Sequence, residues 1–306
     1  MMNWFETYKK PRLDQNTAGG ELSLIRKHIL PEIGDKAIND VGVADVQRAV
    51  SKPKSASMAK KVKSVINQCF AAAIADELYT HPNPAADKRI VMPTKVTKRN
   101  PLEKDDLATV IETLPVLSPE HAQLLSILIM TGCRRSEALA VHWEDIDWEK
   151  KSIHLQHVIR FRNNQPELST KMKTKSANRT VSLWDSLIPY LGEPQESGLI
   201  INDGGKPLTE RQYTLRWKAI QKALKAAGLK ETFTAHQLRH TYATIAANSG
   251  EVPPKVLQGL LGHANFQTTM NTYAALDADQ MLSGSSKISD QYAQIAEKSC
   301  RENCSA

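Results

Sequence analysis

Three short segments concentrate side chains able to hold and attack an anion. The first is Thr131-Gly132-Cys133-Arg134-Arg135-Ser136-Glu137-Ala138-Leu139, where a glycine turn precedes a helix start, Arg134 stands at its mouth and Glu137 follows one turn on. An arginine so placed offers a planar fork of donors to phosphate oxygens, helped by the free N–H groups of a helix terminus. The second is His236-Gln237-Leu238-Arg239-His240, whose spacings of three and four put His236, Arg239 and His240 on one helical face. Such groups repel one another unless an anion lies among them. Two histidines four apart also resemble the zinc pair of a metalloprotease. Position 237 is Gln, however, so the required glutamate base is missing and zinc hydrolysis is set aside. The third segment runs from Leu260-Leu261-Gly262-His263 to Asn271-Thr272-Tyr273.

Taken in order, these segments resemble the tyrosine recombinase family, the phage-type and genomic-island integrases: Thr-Gly-x-Arg-x-x-Glu, then His-x-x-Arg-His, then Leu-Gly-His followed by Tyr. Carried over position by position, the resemblance makes Arg134 and Arg239 the two catalytic arginines, His236 and His263 the paired histidine positions, and Tyr273 the nucleophile. Thr170–Ser176 matches the family's hairpin lysine, placed at Lys173 by its spacing to Arg179-Thr180-Val181. Lys171 and Lys175 remain alternatives, since alternating strand positions share a side. Glu137 is expected to orient neighbouring groups and His240 to pack or support.

These residue types suit attack on a phosphodiester without a metal or other cofactor. Charge grows on the nonbridging oxygens, where two forked guanidiniums and imidazole donors stabilise it. A tyrosine with an ordinary pKa near ~10 needs a proton acceptor or an electropositive pocket, and His236 is the candidate base. The leaving 5′-oxygen needs a proton, the role expected of Lys173. The resemblance further implies a 3′-phosphotyrosyl intermediate, rejoining without ATP, double-stranded DNA attachment sites as partners, a tetramer on DNA, and DNA-bending and directionality factors.

Positioning these groups takes a mainly α chain of α+β type. Apolar recurrence at three and four predicts helices at Leu22–Ile29, Val43–Val50 and Ala56–Leu78. His81-Pro82-Asn83-Pro84 stops the last, and a polar, basic, proline-bounded stretch at 93–101 reads as a linker. Helices follow at Lys104–Thr113, Pro119–Met130 and Ser136–Val141. Alternation at Ser152–Val158 and Arg179–Leu183, with a third segment near Glu167–Lys173, predicts one small antiparallel sheet. Helices return at Glu210–Ala227, Ala235–Ser249, Pro253–Leu261 and Gln267–Leu276. The expected domains are a helical basic core-binding DNA clamp over 1–92 and a catalytic domain over 102–306. A tail helix at Ser286–Lys298, striped by Ile288, Tyr292 and Ile295, resembles the family's tail that docks on a neighbouring subunit.

The charge supports that division. The 306 residues carry a net +7, and residues 1–100 hold 17 Lys+Arg against 10 Asp+Glu, while the remainder holds 23 of each. A basic module joined to a neutral one suggests a polyanion clamp. Lys52, Lys54, Lys60, Lys61 and Lys63 form its densest cluster and are the candidate DNA contacts. Hydrophobic residues at 41% and charged residues at 24% exclude a disordered or collagen-like chain. No apolar run reaches the ~20 residues of a membrane span, so no membrane partner and a cytoplasmic location are expected. Cys69, Cys133, Cys300 and Cys304 are too scattered for a disulfide framework, and Cys300 with Cys304 lacks further ligands for a metal.

Tyr242, Trp143 and Trp148 read as packing residues, and nothing marks Cys133 as a reactive thiolate. Many integrases carry a further N-terminal domain for arm-type sites. Here the bundle begins almost at Met1, so that domain is expected to be absent or truncated. The alternatives are a Xer-like or transposon-resolving recombinase, a type IB topoisomerase and a non-catalytic DNA-binding relic. The tail stripe and the Leu-Gly-His to Tyr motif favour recombination, and the full residue set argues against decay. The target sequence and the preferred direction, integration or excision, are not legible in one sequence.

Overall fold

The computed structural model describes residues 1–94, 100–170 and 178–273, with side chains through residue 270. Lys171, Lys173 and Lys175, the tail segment Ser286–Lys298, and Cys300 and Cys304 therefore lie outside the described residues. The chain divides into two compact units, Met1–Arg99 and Asn100–Ala306. Each has its own apolar core. Among the described residues, no helix is long and apolar enough to cross a membrane.

The first unit is all helical: α1 (Met2–Trp4), α2 (Gln15–Leu24), α3 (Leu30–Ile33), α4 (Val43–Ser51) and α5 (Ala56–Ala75). Asp14 caps α2 by accepting the Thr17 N–H at 3.1 Å, so the helix starts seven residues earlier than the apolar pattern from Leu22 implies. Gly19 and Gly20, poor helix formers, mask that start in the sequence. Ser55 caps α5 in the same way. One stripe of α5, Ala59, Val62, Val65, Ile66, Cys69, Phe70 and Ala73, is buried against Phe5, Ile25, Ile29, Val46 and Val50. Each large side chain so buried contributes about 1.5–3 kcal/mol of transfer free energy. Met58 and Ile74, whose spacing of three and four continues that stripe, sit at its solvent margin. Beyond α5, the Tyr79 hydroxyl donates to the Val41 carbonyl at 3.2 Å and its ring meets Phe70 edge-on, closing the bundle.

The second unit is built around α7 (Pro119–Thr131), whose Leu124, Leu125, Ile127, Leu128 and Met130 are all fully buried. Buried on every side from Leu124 to Thr131, α7 is a core helix. Around it lie α6 (Lys104–Thr113), α8 (Arg135–Ala138), α9 (Glu210–Ala226), α10 (Ala235–Asn248), α11 (Pro254–Leu261) and α12 (Phe266–Tyr273). A three-stranded antiparallel sheet orders β1 (Ile146–Asp147), β2 (Ser152–Leu155) and β5 (Arg179–Ser182), with Ile153 opposite both Ile146 and Val181.

The expected single sheet is in fact two. The predicted strand Ser152–Val158 breaks at Gln156-His157, where the Gln156 amide donates to Asp145 and draws the chain aside. Beyond the break, β3 (Val158–Arg162) pairs, among the described residues, only with β4 (Gln165–Ser169). Asn163 and Asn164 turn that hairpin with φ of 47° and 68°, the left-handed pair that a two-residue turn demands. A second correction concerns Trp148, expected in the core. It is 41% exposed and stacks on the buried Trp143.

Candidate active site

Gly132 sets the site's first arginine. It ends α7 in the left-handed region at φ +56°, and an added Cβ would stand 2.6 Å from the Tyr242 ring. Only glycine meets both conditions without strain. The turn sends Cys133 into the core, where burial pushes its thiol up to about 11, and leaves Arg134 as the residue preceding α8. A thiol so raised is inert at neutral pH.

Glu137 organises the arginines. Its Oε2 accepts the Arg134 backbone N–H at 3.0 Å and Arg179 Nη2 at 2.9 Å, and its Oε1 accepts Arg134 Nη1 at 2.6 Å. Burial works to raise this carboxyl. The Arg179 charge, the Arg134 N–H and the Arg134 charge outweigh it and hold the group below its ordinary value.

The last turn of α11 supplies the second anchor. Helix C-termini leave carbonyls without intrahelical donors, and their partial negative charge favours cations. Here three arginines share them: Arg179 Nε reaches the Leu260 carbonyl at 2.5 Å, Arg239 Nη2 the Leu261 carbonyl, and Arg134 Nη2 the Gly262 carbonyl at 3.3 Å. Arg239 also donates from Nη1 to the Gly132 carbonyl at 3.0 Å, joining the ends of α7 and α11. At 3% exposure, Arg239 is pulled down to about 10 by burial first and then by Arg134, so it remains charged at neutral pH. These bonds use two of its five N–H donors.

Arg239, His236, His240, Leu261, His263 and Thr268 line one open cleft of about 310 Å³. His236 stands exposed on the first turn of α10. Gln237, which replaces the protease glutamate, accepts the Thr234 N–H at 3.1 Å and closes a capping box there. His240 Nδ1 lies 3.3 Å from the Thr244 hydroxyl. His263 follows the left-handed Gly262 and places Nδ1 3.0 Å from the Thr269 hydroxyl. Burial lowers its pKa to about 4, with Arg239, Arg134 and Arg179 adding to the effect, so the ring is neutral at pH 7.

The structure thus brings Arg134, Glu137, His236, Arg239, His240 and His263 into one neighbourhood. Tyr273 is the last described residue of α12, the helix that also carries Thr269 and packs against α10 and α11. Lys61 lines a cleft with Lys27 and His28, Lys60 and Lys63 line another with Asn67, and Lys52 pairs with Glu32 at 2.6 Å. Sequence reasoning missed Arg179. Its signal was strand alternation, which turns Arg179 and Val181 to the same buried side of β5.

Residues 100–280 match the Phage integrase family and residues 1–90 the Phage integrase central domain. The tyrosine recombinase XerC-like protein of Caldanaerobacter subterraneus subsp. tengcongensis is 30% identical over 273 residues, covering 78% of this chain and 67% of that protein. The fold is similar to that of the Tn1549 transposon integrase in complex with circular intermediate DNA, with a TM-score of 0.78 at 20% identity over 94% of this chain and 98% of that one. It is also similar to lambda integrase solved as a tetramer bound to a Holliday junction, with a TM-score of 0.63 at 19% identity, over 91% and 78% of the two chains.

Proposed function

Because the chain belongs to the phage integrase family, we propose that it is a site-specific tyrosine recombinase that integrates or excises a mobile element through a 3′-phosphotyrosyl intermediate. The observation that carries this reading is the convergence of Arg134, Arg239 and His263 at the ends of α7 and α11, beside the helix that carries Tyr273. Two arginines fixed by buried partners are preorganised donors for the oxygens that gain charge in the transition state. Neutral His263 donates or accepts one hydrogen bond there, and its partner Thr269 fixes the ring. His236 accepts the Tyr273 proton as the phenol attacks phosphorus, and a lysine of Thr170–Ser176 protonates the departing 5′-oxygen. The phosphotyrosine then conserves the bond energy for rejoining by a 5′-hydroxyl.

Residues 1–92 act as the DNA clamp in this reading, supported by their charge excess. The enzyme works in the cytoplasm as a tetramer on double-stranded attachment sites, with DNA-bending and directionality factors. A surface groove lined by Ile111, Trp184, Tyr242 and Ile245 offers apolar area for such assembly. The XerC-like relative favours one second reading, a Xer-like enzyme acting on short sites.

Covalent trapping in EDTA tests both, using nicked duplexes tiled from DNA flanking the gene and peptide mapping of any adduct. A metal-independent 3′ adduct on Tyr273, lost in Tyr273→Phe with DNA affinity retained, is the expected result. An adduct that persists in Tyr273→Phe refutes the nucleophile. Salt-sensitive binding with no adduct on any flank points to a relic.

A further inference from the structure

Away from the cleft, the second unit brings two imidazoles to one buried carboxylate. The ligating atoms of His142, Asp145 and His157 all lie within 4.8 Å of one another. His142 Nδ1 and His157 Nδ1 each stand 3.7 Å from Asp145 Oδ2, and the two rings meet edge-on at 5.0 Å. Both Nδ1 atoms are buried and have no hydrogen-bond partner among the described residues. Buried polar atoms normally find partners, and orphaned ones cost stability.

A separation of 3.7 Å exceeds a hydrogen bond. It is close to the ~3.4 Å between neighbouring ligands around a tetrahedral cation with bonds of about 2.0–2.1 Å. The carboxylate is held as a metal ligand would be: Gln156 Nε2 donates to Oδ1 at 2.7 Å and the His142 N–H to Oδ2 at 2.9 Å. Mixed imidazole and carboxylate donors suit Zn²⁺, whereas Mg²⁺ and Ca²⁺ prefer oxygen alone.

The geometry points to a structural Zn²⁺ site formed by His142, Asp145 and His157, which pins the break between β2 and β3 to the turn after Val141. Its fourth position takes water. The chemistry of the cleft requires no metal, so this site stands apart from strand cleavage. The sequence expectation of no metal weighed only the Cys300 and Cys304 pair and the His236 and His240 pair; His142 and His157 lie fifteen residues apart and meet only in the folded chain.

The test is a titration of the chelator-stripped full chain with ZnCl₂, with MgCl₂ as control, read by calorimetry, thermal unfolding and X-ray absorption. One Zn²⁺ per chain should bind and raise the melting temperature by about 5–10 °C at a hundredfold excess over Kd. The absorption spectrum should show nitrogen and oxygen neighbours and no sulfur. His157→Gln and His142→Asn should weaken this event about 100-fold or more, and Gln156→Ala about tenfold. Wild-type protein that takes up no stoichiometric Zn²⁺ overturns the site. So does a sulfur-containing shell, which would implicate cysteines, or uptake unchanged in His157→Gln, which would implicate the histidines of the cleft. Should a variant fail to fold, the wild-type stoichiometry and absorption spectrum decide by themselves.

Discussion

Replacing Glu137 by Gln tests whether one buried carboxylate holds the arginines in place. Glu137 is 2% exposed and takes three donors on two oxygens, from Arg134 Nη1 at 2.6 Å, Arg179 Nη2 at 2.9 Å and the Arg134 N–H at 3.0 Å. Glutamine keeps the shape but turns one acceptor into an amide donor facing a donor, and removes the carboxylate charge that faces the buried Arg179. Removing one partner from a buried ion pair costs about 3–5 kcal/mol. For a unit of about 200 residues, each kcal/mol is worth about 2–4 °C, so the melting temperature at pH 7 should fall by about 6–20 °C.

The pH dependence gives a second readout. The folded pKa of Glu137 lies below its ordinary value of 4.5, so its contribution is fully present above that value and is lost as pH falls through the lowered one. The gap between wild type and Glu137→Gln should therefore be full at pH 7 and close below pH 4.5. Thermal unfolding by circular dichroism across that range measures it. A gap under about 1 kcal/mol at pH 7, the size expected of an exposed pair, or a gap that widens in acid, would refute the reasoning.

Three further outcomes follow from the same geometry. Gly132→Ala places a Cβ 2.6 Å from the Tyr242 ring at φ +56° and should cost about 2–4 kcal/mol in denaturant unfolding; a loss under about 0.5 kcal/mol would contradict the close approach. His263 should titrate by NMR with a midpoint of about 4, and because its folded pKa lies below 6.5, its contribution to stability declines as pH falls from 6.5 toward 4. A midpoint above 6 would show that neither burial nor the arginine charges act on the ring as the structure implies. Arg239→Lys cannot span the Gly132 and Leu261 carbonyls with one ammonium group. Covalent adduct should drop about 100-fold or more while salt-sensitive DNA binding persists; equal loss of both would make Arg239 a folding residue.

Most of the elements, and most residues of the candidate site, were legible in the sequence. Helical period located α4 through α11 and the start of α12 to within a few residues, because amphipathic spacing is local and survives in one dimension. Arg134, Glu137, His236, Arg239 and His263 were legible because the turn, the helix spacing and the glycine before His263 are local patterns too. Tertiary structure decided what each arginine touches. Arg179 joins the site from β5, its guanidinium placed between Glu137 and the end of α11, which are far apart in sequence. The sheet likewise split at Gln156-His157 because a side chain drew on Asp145, a contact to which strand alternation is blind. Periodicity reports which face of an element is covered; the partner that covers it, and the buried charge that balances it, exist only once distant segments have met.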